Sequence, residues 1–159
     1  MIVSNTSPLY YLHQLGCLEV LRDLFRHVHT TPQVLAELHA GELQGLDIPE
    51  VSGIKWMIVQ NIAVPSFVEL IPDLGKGEAS VVALALENPG SSVIMDDRLG
   101  REVAKAREIC LTGTLGVLLL AKQRGAIKAL GPMISQLRQK GFYCSRPVVV
   151  EILRLANEL

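Results

Sequence analysis

Val3-Ser4-Asn5-Thr6-Ser7-Pro8-Leu9 and Val93-Ile94-Met95-Asp96-Asp97-Arg98 are the two stretches that decide the fold of this chain. Each is a short apolar run that breaks off in polar side chains and leads into a helix-like segment. Strands of an open parallel α/β sheet end in this way at one edge, where such folds place their ligands. Glu37 and Glu78 stand at polar positions beside apolar helical stripes, so their carboxylates can reach the same edge as Asn5, Asp96 and Asp97. Clustered carboxylates repel one another and are tolerated where a hard cation neutralises them.

Between these stretches the pattern alternates strand and helix. Ile2 to Ser4 reads as a strand, and Pro8 to Leu15 as a helix with Ser7 as its N-cap and Pro8 at its first position. Leu18, Leu21, Leu24 and Phe25 recur at helical spacing, His27-Val28-His29 reads as a strand, and Thr31-Pro32 opens a helix that carries Glu37. Trp56 to Val59 reads as a strand at an edge, and Pro65 and Pro72 bracket a short helix. Gly75-Lys76-Gly77-Glu78 leads into a strong helical run over Ala79 to Leu86. Further on come a strand over Ser92 to Met95, a helix over Asp97 to Arg107, a strand over Ile109 to Leu111, and a helix over Leu115 to Arg124. Helices over Pro132 to Lys140 and Pro147 to Glu158 end the chain. The alternation predicts one domain over residues 1–159: a three-layer α/β/α fold with a central parallel sheet of four to five strands.

Composition narrows the function. Hydrophobic residues make up 49% of the 159, enough for a sizeable core and too many for a disordered chain. The purely apolar runs are short, so no membrane association is expected. The start, Met1-Ile2-Val3-Ser4-Asn5, lacks a basic leader and predicts a cytoplasmic protein. Cys17, Cys110 and Cys144 are far apart and unpaired in pattern, which predicts reduced, buried thiols. Charge is split along the chain: residues 1–97 carry four Lys/Arg and twelve Asp/Glu, residues 98–159 eleven Lys/Arg and four Asp/Glu. An acidic site beside a basic surface would suit a polyanion held over a metal ion. His27 and His29 alternate as strand neighbours, but no third ligand is spaced to join them. The few aromatic residues form no alternating basic–aromatic tract.

The strand-one ending, the Val34-Leu35-Ala36-Glu37-Leu38 helix, the Gly77-Glu78-Ala79 helix start and the Asp97-Arg98 strand end together resemble the PIN-domain family. The likeness is closer to a PIN-like branch whose chains begin SNTSPL and carry a Thr-Gly-Thr-Leu-Gly run, here Thr112 to Gly116. That family includes metal-dependent ribonucleases, among them the VapC toxins of toxin–antitoxin pairs. The resemblance implies a site of Asn5, Glu37, Glu78 and Asp97, with Asp96 as a neighbouring ligand and Thr6 or Ser7 supporting it. It implies Mg²⁺ or Mn²⁺ as the ion, RNA as the substrate, a cognate antitoxin as a partner and a homodimer. Asn5 stands where the family has its first Asp, and an amide offers a dipole where a carboxylate offers a full charge. Two outcomes follow: a ribonuclease, or a catalytically degenerate module of the same fold that binds RNA or a partner protein.

The surrounding residues have expected roles as well. Arg98, Arg101 and Lys105 share a helix face at their spacing and could meet RNA phosphates, as could Lys76. The same residues could equally be a solvated helix exterior. Of Asp96 and Asp97, one is expected to cap the following helix and the other to face the site. Thr112 and Thr114 flank Gly113 in a turn expected to cap a helix with a close backbone approach.

Overall fold

The computed structural model describes residues 1–159, all of them placed. Five strands form one sheet: β1 (Ile2–Ser4), β2 (Val28–Thr30), β3 (Met57–Val59), β4 (Ser92–Ile94) and β5 (Cys110–Thr112). Their order is β3-β2-β1-β4-β5, and every neighbouring pair is parallel. Nine α-helices flank the sheet in a three-layer α/β/α arrangement: α1 (Thr6–Gln14), α2 (Val20–Phe25), α3 (Pro32–Leu43), α4 (Ser66–Glu69), α5 (Lys76–Glu87), α6 (Arg98–Ala106), α7 (Thr114–Gln123), α8 (Gly131–Gln139) and α9 (Arg146–Leu155). Helix α5 packs against α3, α4 and α6, whereas α7 packs against α1, α2 and α9.

The topology sets the position of the site. After β1 the chain builds outward through β2 and β3, then returns to the other side of β1 for β4 and β5. The direction of building therefore reverses between β1 and β4, the kind of crevice where parallel α/β sheets bind ligands. Ser4 is in register with Ile94, and Ile94 with Thr112. Asn5, Asp96 and Thr114 consequently leave the sheet just past one rung. The backbone N–H of Asn5 extends the ladder onto the Ile94 carbonyl at 3.0 Å.

The central strands are short and buried, with Val3, Val28, Val93 and Ile94 wholly enclosed. Helix α5 is buried continuously from Ala79 to Ala85 because it lies over β1 and β4 with helices on its flanks. A helix that is apolar all round needs such surroundings.

Two sequence expectations need correction here. Helix α1 starts at Thr6, and its N-cap is Asn5 in extended conformation, not Ser7. Pro8 falls at the third helical position, where its missing N–H would have had no intrahelical partner, so the earlier start carries no penalty. The cysteines are free, but Cys110 is exposed on edge strand β5 and Cys17 and Cys144 are half-buried. Strand β5 has a neighbouring strand on one side only, and Cys110 opens it at that edge. Burial pushes the Cys17 thiol up to about 11, which makes it a poor nucleophile. The Trp56 to Val59 reading corresponds to β3, the other edge of the sheet.

Candidate active site

Asn5 is the centre of the site. Its side chain is wholly buried at the end of β1. Its Nδ2 donates to Glu78 Oε1 at 2.8 Å. Its Oδ1 is buried without a hydrogen-bond partner. An orphaned acceptor of that kind costs about 1–3 kcal/mol.

Glu37 and Glu78 reach Asn5 from α3 and α5. Helix α3 is set by Thr31, whose Oγ1 accepts from the Val34 N–H at 3.3 Å with Pro32 beginning the helix. Thr31 Oγ1 also meets Ser80 Oγ at 2.7 Å, and Ser80 Oγ donates to the Gly77 carbonyl at 2.8 Å. This buried polar bridge fixes α3 against the first turn of α5. Glu37 then accepts from the Gly77 N–H at 2.8 Å and from the Thr6 hydroxyl. Thr6, rather than Ser7, is thus the hydroxyl that holds the acid, while Ser7 lines the open cleft beside it. A Cβ on Gly77 would overlap the Glu37 carboxylate, and one on Gly75 would overlap that of Glu78 while lying 3.8 Å from Glu37 Oε1. The two acids therefore converge over a stretch of backbone that only glycine leaves open.

Asp97 completes the rim from the other side. A Cβ built on Gly100 would lie 3.0 Å from Glu78 Cγ and 3.4 Å from Asp97 Oδ2, which places these two side chains next to each other. Asp97 Oδ2 accepts from the Gly100 N–H at 2.7 Å and so caps α6. Asp96 caps a different helix. Its Oδ1 accepts from the Thr114 N–H at 2.8 Å and its Oδ2 from Thr114 Oγ1 at 2.5 Å, at the start of α7. The expected division of labour between the two aspartates is thus corrected: both hold a helix N-terminus, because α6 and α7 both begin at this edge of the sheet. Burial raises the Asp96 carboxyl above its ordinary value, with the Thr114 hydrogen bonds and Arg101 working against it. Gly113 permits the close approach, since a Cβ there would sit 2.8 Å from Asp96 Oδ1 and 3.1 Å from Arg101 Nη1.

The cationic residues separate. Arg101 turns back and donates to the Met95 carbonyl at 2.8 Å. Arg98 is 93% exposed and pairs loosely with Glu102. Both line the cleft, whereas Lys105 and Lys76 are exposed and lie outside its walls. On α6, then, the Arg101 side chain turns inward to the Met95 carbonyl, whereas Arg98 and Lys105 stay exposed. His29 bonds Gln60 at 3.1 Å; it sits on β2 beside β1 but lines no wall of the cleft.

Glu78, Asp96, Asp97, Arg98 and Arg101 open into a cleft of about 820 Å³, with Thr112 and Gly116 on its α7 side. Its far wall is the loop after α8, carrying Phe142, Tyr143 and Cys144, together with Val148 and Ile152 of α9. Tyr11 joins the two walls: its ring meets Phe142 edge-on, with centroids 4.9 Å apart. The sequence reading missed this wall because Tyr11 and Phe142 are remote in the chain and neither belongs to a recognisable pattern. Gly77, Gly100 and Gly113 were also missed as site residues, since their contribution is absent bulk and a backbone N–H.

The donors at the rim are all oxygen, the ligand type that hard divalent cations take. The orphaned Asn5 Oδ1 adds a neutral oxygen to the three carboxylates. As the side chains lie, however, no three His, Cys, Asp or Glu residues surround one point closely enough to hold an ion. Each carboxylate is turned onto a protein donor, so these side chains must leave those donors before they share a ligand. The residues present fit such an ion in chemistry and in neighbourhood.

The PIN domain family model matches residues 1–158 of the chain. No curated protein and no solved structure is significantly similar to it. A parallel five-stranded sheet in three layers, with acids gathered where β1 and β4 end, agrees with that match. The chain belongs to the PIN-domain family.

Proposed function

We propose that this protein is a metal-dependent endoribonuclease that hydrolyses RNA phosphodiester bonds, using Mg²⁺ or Mn²⁺, and acts as the toxin of a toxin–antitoxin pair. The nuclease-type fold is that of the family, and divalent ions are general among PIN domains. The observation that supports the reading is the gathering of Glu37 and Glu78 from α3 and α5 at the end of β1, with Asp97 next to Glu78, beside a buried, unpartnered amide oxygen.

Glu37, Glu78, Asp97 and Asn5 Oδ1 would hold the ion, with Asp96 behind them. When bound, the ion supplies Lewis-acid polarisation of the phosphate and lowers the pKa of water. The chain's own residues do the rest. Arg98, exposed at the cleft and held only by its surface pair with Glu102, meets a phosphate oxygen, and Arg101 adds positive charge to the same cleft. A water oxygen displaces a ribose oxygen at phosphorus, one water proton passes to a rim carboxylate, and the leaving oxygen takes a proton from solvent. The test is cleavage of labelled single-stranded RNA in Mn²⁺. Asp97→Ala is expected to lower the rate on the order of 100-fold. Loss of the cap costs about 1 kcal/mol, so the variant still folds. Equal cleavage by both proteins would end the proposal.

A second reading keeps the fold and drops the chemistry. It is favoured by one observation: Asn5 Nδ2, Thr6 Oγ1 and the N–H groups of Gly77 and Gly100 already satisfy the three carboxylates. Wild type that binds RNA and never cleaves it, alongside an active Asn5→Asp, would establish this degenerate module.

An antitoxin and a second copy of the chain are the partners proposed with the first reading. Support comes from α9, which buries no residue completely and leaves Val148, Val150 and Leu155 partly exposed, and from the bare Leu159 after it. Light scattering at micromolar concentration is expected to return the mass of a dimer, and a monomer mass would remove that part of the proposal.

A further inference from the structure

The far wall of the cleft holds a side chain that no role above uses. Tyr143 is 88% exposed, the most exposed of the large hydrophobic side chains. Its loop is nonetheless well fixed. Gly141 turns the chain with φ of 90°, the Phe142 N–H returns to the Leu137 carbonyl at 2.9 Å, and Arg138 reaches the Cys144 carbonyl at 3.2 Å. Phe142 is anchored edge-on against Tyr11. An aromatic ring left in water on a braced loop is a surface held ready for a flat partner, since little order remains to be imposed on binding.

The rest of the lining narrows the choice of partner. Arg98 and Arg101 line the same cleft and offer positive charge for a phosphate. Aromatic rings stack on nucleobases whatever the base, and they do so where the base is free of its own helix. A cleft lined by both guanidinium groups and a bare aromatic ring matches a nucleotide, its phosphate met by the first and its base by the second.

We propose that Tyr143 is the stacking platform for one unpaired base of an RNA strand whose neighbouring phosphate lies at the acidic rim. The inference rests on the ribonuclease reading and deepens it: the substrate is single-stranded at this point, and selection acts through the openness of the strand more than through base identity. Phe142, packed edge-on against Tyr11, anchors the loop that carries Tyr143.

The experiment titrates short fluorescein-labelled RNAs with the full chain and follows anisotropy at low salt, in Mn²⁺ and in EDTA. The probes are a single strand, an abasic strand of the same length and a duplex. The proteins are wild type, Tyr143→Ala, Tyr143→Phe and, as an exposed aromatic outside the cleft, Phe67→Ala. Tyr143→Ala is expected to bind the single strand about tenfold more weakly, Tyr143→Phe and Phe67→Ala as wild type, and the abasic strand equally in all four. Unchanged single-strand binding by Tyr143→Ala overturns the platform and leaves the ribonuclease reading standing. So does a loss that is the same for the abasic strand. Wild type that binds no RNA in either condition overturns both. A dimer that dissociates in Tyr143→Ala with RNA binding unchanged assigns the ring to a contact between copies and overturns the platform as well.

Discussion

Asn5 governs the electrostatics of the site. Its amide hydrogen bridges to Glu78 where a carboxylate would meet a carboxylate. Replacing it with Asp removes a hydrogen bond to a charged group, worth about 1.5–3 kcal/mol, and adds like-charge repulsion. Asn5→Asp is therefore expected to melt several degrees lower than wild type in EDTA, at about 2–4 °C per kcal/mol for a chain of this size. Added Mn²⁺ is expected to raise its melting temperature by more than it raises that of wild type, because the new charge gives the ion more to bind. Differential scanning fluorimetry checks both shifts, and equal Mn²⁺ responses would remove residue 5 from the ion site. That Asn5, Glu37 and Glu78 come together at one strand end was legible because each is a polar residue inside or beside an apolar periodic run. What their hydrogens and lone pairs do was not legible, since it depends on partners 31 to 73 residues away.

Among the elements, helix N-termini do most to build the rim. Helices α3, α5, α6 and α7 all begin near the carboxyl ends of the strands, and their free N–H groups are what Thr31, Glu37, Asp97 and Asp96 accept from. This explains which parts of the site could be read in advance. Helix and strand identities followed from periodicity, and the Thr31-Pro32 opening followed from cap chemistry. The start of α1 did not, because Ser7-Pro8 and Asn5-Thr6 are both acceptable starts locally and the pairing of Asn5 N–H with β4 decides between them. Nor did the double capping by Asp96 and Asp97, which needs α7 to return beside β4. Gly77→Ala tests this scale. Alanine in a helix usually gains up to about 1 kcal/mol over glycine. Here its Cβ would push Glu37 off the Gly77 N–H, losing about 1.5–3 kcal/mol. The variant is expected to melt below wild type and to lose RNA cleavage; a stabilised, active Gly77→Ala would contradict the geometry. Thr31→Ala removes a cap and the bridge to Ser80 and is expected to cost about 1–2 kcal/mol by urea denaturation, with no measurable change counting against the bridge.

At the scale of the whole molecule, the C-terminus is tied to the α7–α8 connection by Glu158. Its carboxylate accepts from the Leu130 and Gly131 N–H groups at 2.6 and 2.9 Å and pairs with Lys122. The backbone bonds at Gly131 and Leu130, then Lys122, hold its carboxyl below the ordinary 4.5. A carboxylate with a depressed folded pKa stabilises the protein above its unfolded value and loses that contribution as pH falls through the folded one. Wild type is therefore expected to lose stability below about pH 4.5 more steeply than Glu158→Gln; parallel pH profiles of melting temperature would show that the tie is not electrostatic. No helix of the structure is long and apolar enough to cross a membrane. The reading of one molecule with one rim, where residues from β1, α3, α5 and α6 act together, stands or falls with ion binding. Isothermal titration of Mn²⁺ into wild type, Glu37→Gln, Glu78→Gln and Asp97→Asn measures it directly. Wild type is expected to show a saturable site that each of the three substitutions weakens at least about tenfold. Wild type that takes up no ion, or substituted proteins that take it up as tightly, would contradict the one-rim reading.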